Sequence, residues 1–457
     1  YVNAYLGPDN KVGKEHMEAL HDLGFLPLRI LSLPEGTVYP LKVPGFIMYN
    51  TNPAFYWLTN FLETIISAEV WGMCTSATTA KLYYNLLKDY AMETVGDASF
   101  VRFQGHDFAF RGMFGSEAAV KSDLGHLSSF YGTDTVPALQ AACYYYKADI
   151  KKRIVGVSVP ATEHSVMCAG GMENEVETFR RLIEDLYPTG IISIVSDTWD
   201  YWSVLNPKGG ILHTLKDKIM ARKGKVVVRP DTGDPVRIVC GEAYPLAEII
   251  PAKLQEALDK GYKVVRHKDK YFTIVLGKAQ GLYLARIPDE EVTPELKGSI
   301  QCLYELFGGT ITPKGYKLLD EHIGLIYGDS ITLERAHNIC EQLKIMGFAS
   351  INIVFGIGSF TYAYVTRDTD GYAIKATWVR IDGKDYAIFK SPKTGDGTKK
   401  SAKGLTAVYK DAKGEFYLKD EATWDEVNNC EYREVFCDGN LTGETSLDEV
   451  RALLDTY

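Results

Sequence analysis

The chain has 457 residues, 46% of them apolar and 24% charged, with a formal net charge of −9. That length exceeds one ordinary core, and domain sizes of roughly 50 to 250 residues imply two domains, one of barrel size. The acidic balance argues against nucleic acid as a partner, no apolar run is long enough to span a bilayer, and the composition is that of a soluble globular protein whose partner is small.

Taken in chain order, Lys14 to Leu23 reads as a short helix, and Leu26 to Tyr49 as β-structure broken by Pro34-Glu35-Gly36 and Pro44-Gly45 turns. Pro53 is placed to start a helix whose apolar steps are Phe55, Leu58, Phe61, Leu62 and Ile65, and Ala77 to Met92 reads as another. From about Ser99 to Val365 short β-branched runs alternate with helical patterns such as Glu173 to Tyr187 and Ile331 to Met346. That rhythm predicts parallel strands linked by helices. It is interrupted from Val236 to Pro313, where Tyr271 to Leu276 and Leu282 to Ile287 look like extra β-structure on an insertion. After Arg367 the chain turns strand-rich, passes a loop at Ser391 to Gly404, and ends in a helix opened by the capping box Ser446-Leu447-Asp448-Glu449. The predicted organisation is an α/β domain over 96–366, with an insertion at about 236–313, and a composite α+β domain from 1–95 and 367–457.

Eight cysteines stand without any C-x-x-C pair, which fits reduced thiols better than zinc or disulfides. The chain opens on Tyr1 without a charged and then apolar leader. The expectation is a cytoplasmic protein with no signal peptide, short of its natural N-terminus.

Several β-rich runs end in polar, reactive residues: Val157 to Ser165, Ile191 to Ser196 before Asp197, Lys225 to Val228 before Arg229-Pro230-Asp231, Gly324 to Tyr327 before Gly328-Asp329, and Ile351 to Phe355 before Gly356-Ile357-Gly358-Ser359. Strand carboxyl ends are where α/β folds place ligands. His164, after a proline and between Glu163 and Ser165, is a candidate base, acid or nucleophile, with a turn-bonding histidine as the plain alternative. Asp197 and Asp231 offer carboxylates that orient an imidazole, stabilise a cation or hold a metal; the plain alternative is two helix N-caps. Arg111, Arg229 and Arg367 supply guanidinium forks for phosphate or for structural ion pairs. The Gly358-Ser359 turn offers backbone N–H groups, although Thr361 replaces the third glycine of a dinucleotide fingerprint. The lysines of Lys390 to Gly404 read as a solvated loop, and the Asp438 to Glu449 spacing as a turn before a capped helix instead of a calcium loop.

In order, His106-Asp107-Phe108-Ala109-Phe110-Arg111-Gly112, Gly132-Thr133-Asp134-Thr135-Val136, the His164 run, Ser196-Asp197 and Arg229-Pro230-Asp231-Thr232-Gly233 closely resemble the nicotinamide phosphoribosyltransferases, a type II phosphoribosyltransferase family. The resemblance extends to Pro34-Glu35-Gly36, Tyr56 to Asn60, Gly328-Asp329, Phe355-Gly356 and Thr366-Arg367-Asp368, so it covers nearly the whole chain. It implies an irregular TIM-like α/β barrel with a second, mixed α+β domain, working as a homodimer with shared sites. The implied reaction joins nicotinamide to the ribose of phosphoribosyl pyrophosphate, with Mg²⁺ and with ATP as co-substrate.

By resemblance, His164 matches the histidine that ATP phosphorylates, and Asp197 and Asp231 match acidic residues around it. Phe108 matches an aromatic that stacks on the nicotinamide ring, Asp134 the carboxylate that accepts from its carboxamide, and Ser193 a serine lining the base pocket. Arg111, Arg229, Gly328, Asp329 and Arg367 match groups that hold phosphates and ribose, and Lys390 lies near a lysine in phosphate contact. Ile357 and Ser359 depart from a more glycine-rich family run, and the family's N-terminal tyrosine, which stacks on the base from the neighbouring subunit, has no counterpart here. The rivals are a nicotinate phosphoribosyltransferase, which Asp134 disfavours by repelling a carboxylate base; a glycosidase using Asp197 and Asp231, disfavoured by the arginines; and a non-catalytic homologue.

Overall fold

The computed structural model describes residues 2–277, 281–389 and 401–457. The chain forms two compact units: Ser76–Gln140 with Ile150–Tyr364, and Tyr1–Thr75 with Ala141–Asp149 and Val365–Tyr457. The first is built on a six-stranded sheet. Its strands lie side by side in the order Gly132–Thr133, Gly105–Asp107, Ile353–Ile357, Ile323–Tyr327, Lys223–Arg229 and Thr189–Val195, all parallel. Single parallel bridges from Gly132 to Val157 and from Ala161 to Ser193 join the two outer strands through one segment, closing a ring. Sequence reads Val157 to Ser165 as a β-rich run, but its β-pairing is isolated bridges only, at Val157 and Ala161. Pro160 has no N–H for a ladder, and its carbonyl serves Ser193 N.

The apolar residues of these strands explain the ring. Ile192, Ile194, Val226, Val228, Leu325 and Phe355 are at most 1% exposed, each stabilising by roughly 1.5–3 kcal/mol on burial. Helices Glu175–Arg181, Ser299–Phe307 and Leu333–Ile345 cover this core through Phe179, Leu303, Ile339 and Leu343. The register pairs Val195 with Arg229, Tyr327 with Phe355, and Asp107 with both Ile357 and Thr133. Strand ends that align in this way deliver the residues that follow them to one rim.

Local details differ from the sequence pattern. Instead of two helices, Leu58–Thr94 is one helix of 37 residues, because the single Gly72 in its middle costs only about 1 kcal/mol. Glu173 to Tyr187 is not one regular helix, since Glu175–Arg181 passes into a π-turn at Leu182–Leu186. Within 236–313, a separate four-stranded sheet spans Ala243–Leu246 to Gly281–Arg286 and has its own cluster around Tyr244, Leu254 and Val265. The flanking Val236, Val239, Ile300 and Leu303 pack into the barrel core.

The other unit holds a sheet ordered Phe46–Asn50, Leu28–Ser32, Arg433–Cys437 and Asn440–Leu441, which pairs the two ends of the chain. Its last helix, Leu447–Leu454, carries the expected capping box of Ser446 and Glu449. None of the eight cysteines forms a disulfide. Among the described residues no helix is long and apolar enough to cross a membrane.

Candidate active site

The rim is assembled by short, specific bonds. Thr162 N donates to Ser193 O at 3.0 Å and Thr162 Oγ1 accepts from Val195 N at 2.9 Å, which fastens the Pro160–Thr162 segment to a neighbouring strand. His164 then begins the helix His164–Gly170. Its Nε2 lies 3.1 Å from Asp197 Oδ1. Asp197 is spent on orientation, since its Oδ2 accepts from Asp231 N at 2.8 Å and Thr232 Oγ1 at 2.7 Å. The carboxylate side chain is 3% exposed and the imidazole 41%. The pair therefore presents its imidazole.

Neither Asp197 nor Asp231 is a helix cap. That task falls three residues later in each case, to Asp200, which accepts from Trp202 N and Ser203 N, and to Asp234, which accepts from Val236 N and Arg237 N. Thr332 does the same three residues after Asp329. Three successive turns thus follow one plan, with an Asp at the rim and a separate cap for the helix dipole. Tyr327 Oη fixes the second turn by donating to Gly233 O at 2.9 Å. Burial first, then the charges of Asp197 and Asp329, push the Asp231 carboxyl up, against the pull of Arg229 and His164.

A second wall is built around Phe108. A β-carbon on Gly356 would lie 2.4 Å from its ring and one on Gly328 2.8 Å, so both positions must lack a side chain for the ring to lie on the backbone there. Arg229 Cζ stands 5.5 Å from the ring centroid, within cation–π range. Its nearest acid oxygen, Asp231 Oδ2, is 3.8 Å away, and its Nε is buried without a partner. Ser193 Oγ is likewise buried and unpartnered. Such atoms are costly unless a ligand or water serves them.

Beside Phe108, Asp134 Oδ1 lies 2.8 Å from His106 Nε2 and accepts from Ser158 Oγ at 2.7 Å. Both bonds go to one oxygen, which leaves Oδ2 to accept from a ligand. Here the imidazole side chain is 12% exposed and the carboxylate 49%. Burial, the largest single influence, raises the Asp134 carboxyl, but His106, Ser158 and Arg229 together outweigh it and hold it below the usual carboxylate range.

The remaining candidates are placed as follows. Arg111 is exposed on the short turn Phe110–Gly112, and a β-carbon on Gly112 would lie 2.1 Å from Ser359 Oγ, so this turn packs against the one at Gly358-Ser359. Gly358 precedes the four-residue helix Ser359–Tyr362 and has open space where a side chain would stand. Arg367 belongs to the other unit, where it donates to Asp368 at 3.3 Å. Lys390, Lys393, Lys399 and Lys400 lie outside the described residues. Sequence reasoning assigned no task to His106, Ser158 or Thr232. The signal was their position: His106 stands two residues before Phe108, Thr232 directly follows Asp231, and Ser158 lies in the run from Val157 to Ser165.

Polar groups gathered at the carboxyl ends of a closed parallel ring mark an α/β-barrel enzyme. The model of the nicotinate phosphoribosyltransferase (NAPRTase) family matches residues 103–440, and the chain belongs to that family. It is 47% identical over 453 residues to a nicotinamide phosphoribosyltransferase of Acinetobacter baylyi, covering 98% of this chain and 79% of the relative. It is 36% identical over 352 residues to a nicotinamide phosphoribosyltransferase of Mycoplasma pneumoniae, covering 77% and 64%. A crystal structure of human nicotinic acid phosphoribosyltransferase aligns with 100% of this chain and 80% of its own, at 14% identity and a TM-score of 0.44.

Proposed function

We propose that the enzyme transfers the phosphoribosyl group of phosphoribosyl pyrophosphate to nicotinamide, giving nicotinamide mononucleotide and pyrophosphate, a step of NAD salvage. The observation that carries the choice of base is the ionised Asp134, with one oxygen held by His106 and Ser158 and the other open. A carboxylate accepts only, so it favours the NH₂ of a carboxamide and repels the carboxylate of nicotinate. The base stacks on Phe108, and the unpartnered Ser193 Oγ serves its carbonyl.

Bond breaking at the ribose carbon builds positive charge on the ring and negative charge on the departing pyrophosphate. Asp231 answers the first, and Arg229, with its unserved Nε, the second. Burial first and then repulsion from Asp197 and Asp329 push Asp231 up, and a cation beside the substrate phosphates relieves the repulsion. Asp231 and Asp329 suit Mg²⁺, which is usually held by one or two carboxylates together with phosphates, and Mg²⁺ would supply charge neutralisation on the leaving group. Among the described residues there is no ready-made cluster of three metal-ligating side chains.

ATP couples through His164: the exposed Nδ1 edge attacks the terminal phosphate, ADP leaves, and Asp197 stabilises the imidazolium-like product through Nε2. We place the enzyme in the cytoplasm, where cysteines without disulfides are the rule, and as a homodimer. The test is to incubate the chain with phosphoribosyl pyrophosphate, Mg²⁺ and either nicotinamide or nicotinate, with and without ATP, and to follow mononucleotide by mass. Nicotinamide-specific product stimulated by ATP is expected; a preference for nicotinate contradicts the reading.

A further inference from the structure

Two carboxyl groups that touch no candidate substrate lie buried behind the Phe108 wall. Asp107 is 1% exposed and Asp123 0%, and they are hydrogen-bond neighbours. Two carboxylates have only acceptors, so a bond between them requires one proton. The surrounding donors show which oxygen carries it. Asp107 Oδ1 accepts from Ala109 N at 2.8 Å and its Oδ2 from Thr135 Oγ1 at 3.0 Å. Asp123 Oδ2 accepts from Thr133 Oγ1 at 2.9 Å, whereas Asp123 Oδ1 meets no donor. That oxygen is the one to protonate, since both oxygens of Asp107 already accept. Burial, followed by the charge and hydrogen bond of Asp107, pushes the Asp123 carboxyl well up, in the same sense.

The placement of the pair gives it a task. Asp107 stands between His106 and Phe108, while Thr133 and Thr135 bracket Asp134. Thr135 N donates to Thr133 Oγ1 at 2.9 Å, and Asp134 N donates to Asp107 O at 3.1 Å. Each segment that carries part of the base wall is therefore anchored on one member of the pair. A second negative charge here would stand directly behind Asp134 and disfavour its ionised form; a shared proton avoids that.

We propose that Asp107 and Asp123 form a one-proton carboxyl pair that positions Asp134 and Phe108 and so fixes the preference for a carboxamide base over a carboxylate base. The pair rests on reading this wall as the base site, and Asp123 acts as a positioning residue.

Infrared difference spectroscopy of the wild-type chain against Asp123→Asn at neutral pH tests the proton without any substrate. A protonated-carboxyl C=O band present in the wild type and lost in the variant is expected. Asn mimics the neutral acid, donating to Asp107 and accepting from Thr133, so the KM for nicotinamide should stay within about threefold. Asp123→Leu leaves Asp107 and Thr133 unserved. It should raise that KM and lower the nicotinamide-to-nicotinate preference by about tenfold each, with kcat within about threefold. Absence of the band, an Asn variant as damaged as the Leu variant, or an unchanged base preference in folded Asp123→Leu overturns the proposal. If Asp123→Leu does not fold, the band and the Asn variant decide. Should the wild type transfer ribose to neither base, the reading of the wall fails by itself, and the infrared band still rules on the pair.

Discussion

The rim carries two His–Asp pairs of similar length and opposite exposure. In His164–Asp197 the carboxylate is 3% exposed and the imidazole 41%; in His106–Asp134 the imidazole is 12% exposed and the carboxylate 49%. The buried member of each pair orients its partner, and under the proposed function the exposed member meets the ligand. One pair of residue types thus leaves an imidazole open at one wall, proposed as the nucleophile, and a carboxylate open at the other, proposed as the acceptor. Backbone placement decides which: His164 opens a helix after the ring-closing segment, whereas His106 lies within a strand and Asp134 in the turn after its neighbour.

The largest effect that separates the walls is expected from His164→Ala. It should abolish ATP stimulation and acid-labile phosphate incorporation from labelled ATP, while the choice between bases stays as in the wild type. Asp197→Asn comes next. Its amide nitrogen must face either the imidazole or the donors Asp231 N and Thr232 Oγ1, so ATP-coupled kcat should fall roughly a hundredfold. Asp134→Ser removes the repulsion of nicotinate and should cut base discrimination by about tenfold, measured as the ratio of kcat/KM values. Asp234→Ala sharpens the contrast between rim and cap. It should cost about 1 kcal/mol in urea unfolding through the lost N-cap, with base preference and ATP coupling retained.

The two walls also differ in how stability follows pH. Asp134 has a folded pKa below its unfolded value, so its pairing contributes fully above the unfolded carboxylate range near 4 and fades as pH falls through the depressed value. Its exposure and solvent screening keep that contribution small. Asp231 has a raised folded pKa, so its contribution has the opposite sign: favourable at low pH, and lost as pH rises from the unfolded value through the folded one. Asp231→Asn should therefore raise the melting temperature at neutral pH slightly, by roughly 2 °C, although transfer is lost.

How much of this was legible in the sequence differs between element types. Val, Ile and Phe runs that end in His, Asp or Arg announced the strands and the rim, because burial and strand ends leave a local signature. The ring closure at Val157 to Ala161 was not legible as it is, since two isolated bridges have no periodicity. Nor did the pattern show that Leu58–Thr94 continues unbroken through Gly72. The cap alternative for Asp197 and Asp231 could have been settled early by noticing the second Asp three residues on, in Asp197-Thr198-Trp199-Asp200 and again in Asp231-Thr232-Gly233-Asp234. The partnership of His106 with Asp134 spans 28 residues and depends on strand register, so only the fold reveals it.

The central claim, that the two pairs perform separate tasks, is tested most directly by one assay on three chains. ATP stimulation and the nicotinamide-to-nicotinate ratio would be measured together for the wild type, His164→Ala and Asp134→Ser. The account predicts that the first variant loses stimulation and keeps the ratio, and that the second loses the ratio and keeps stimulation. Loss of both properties in either folded variant would contradict it.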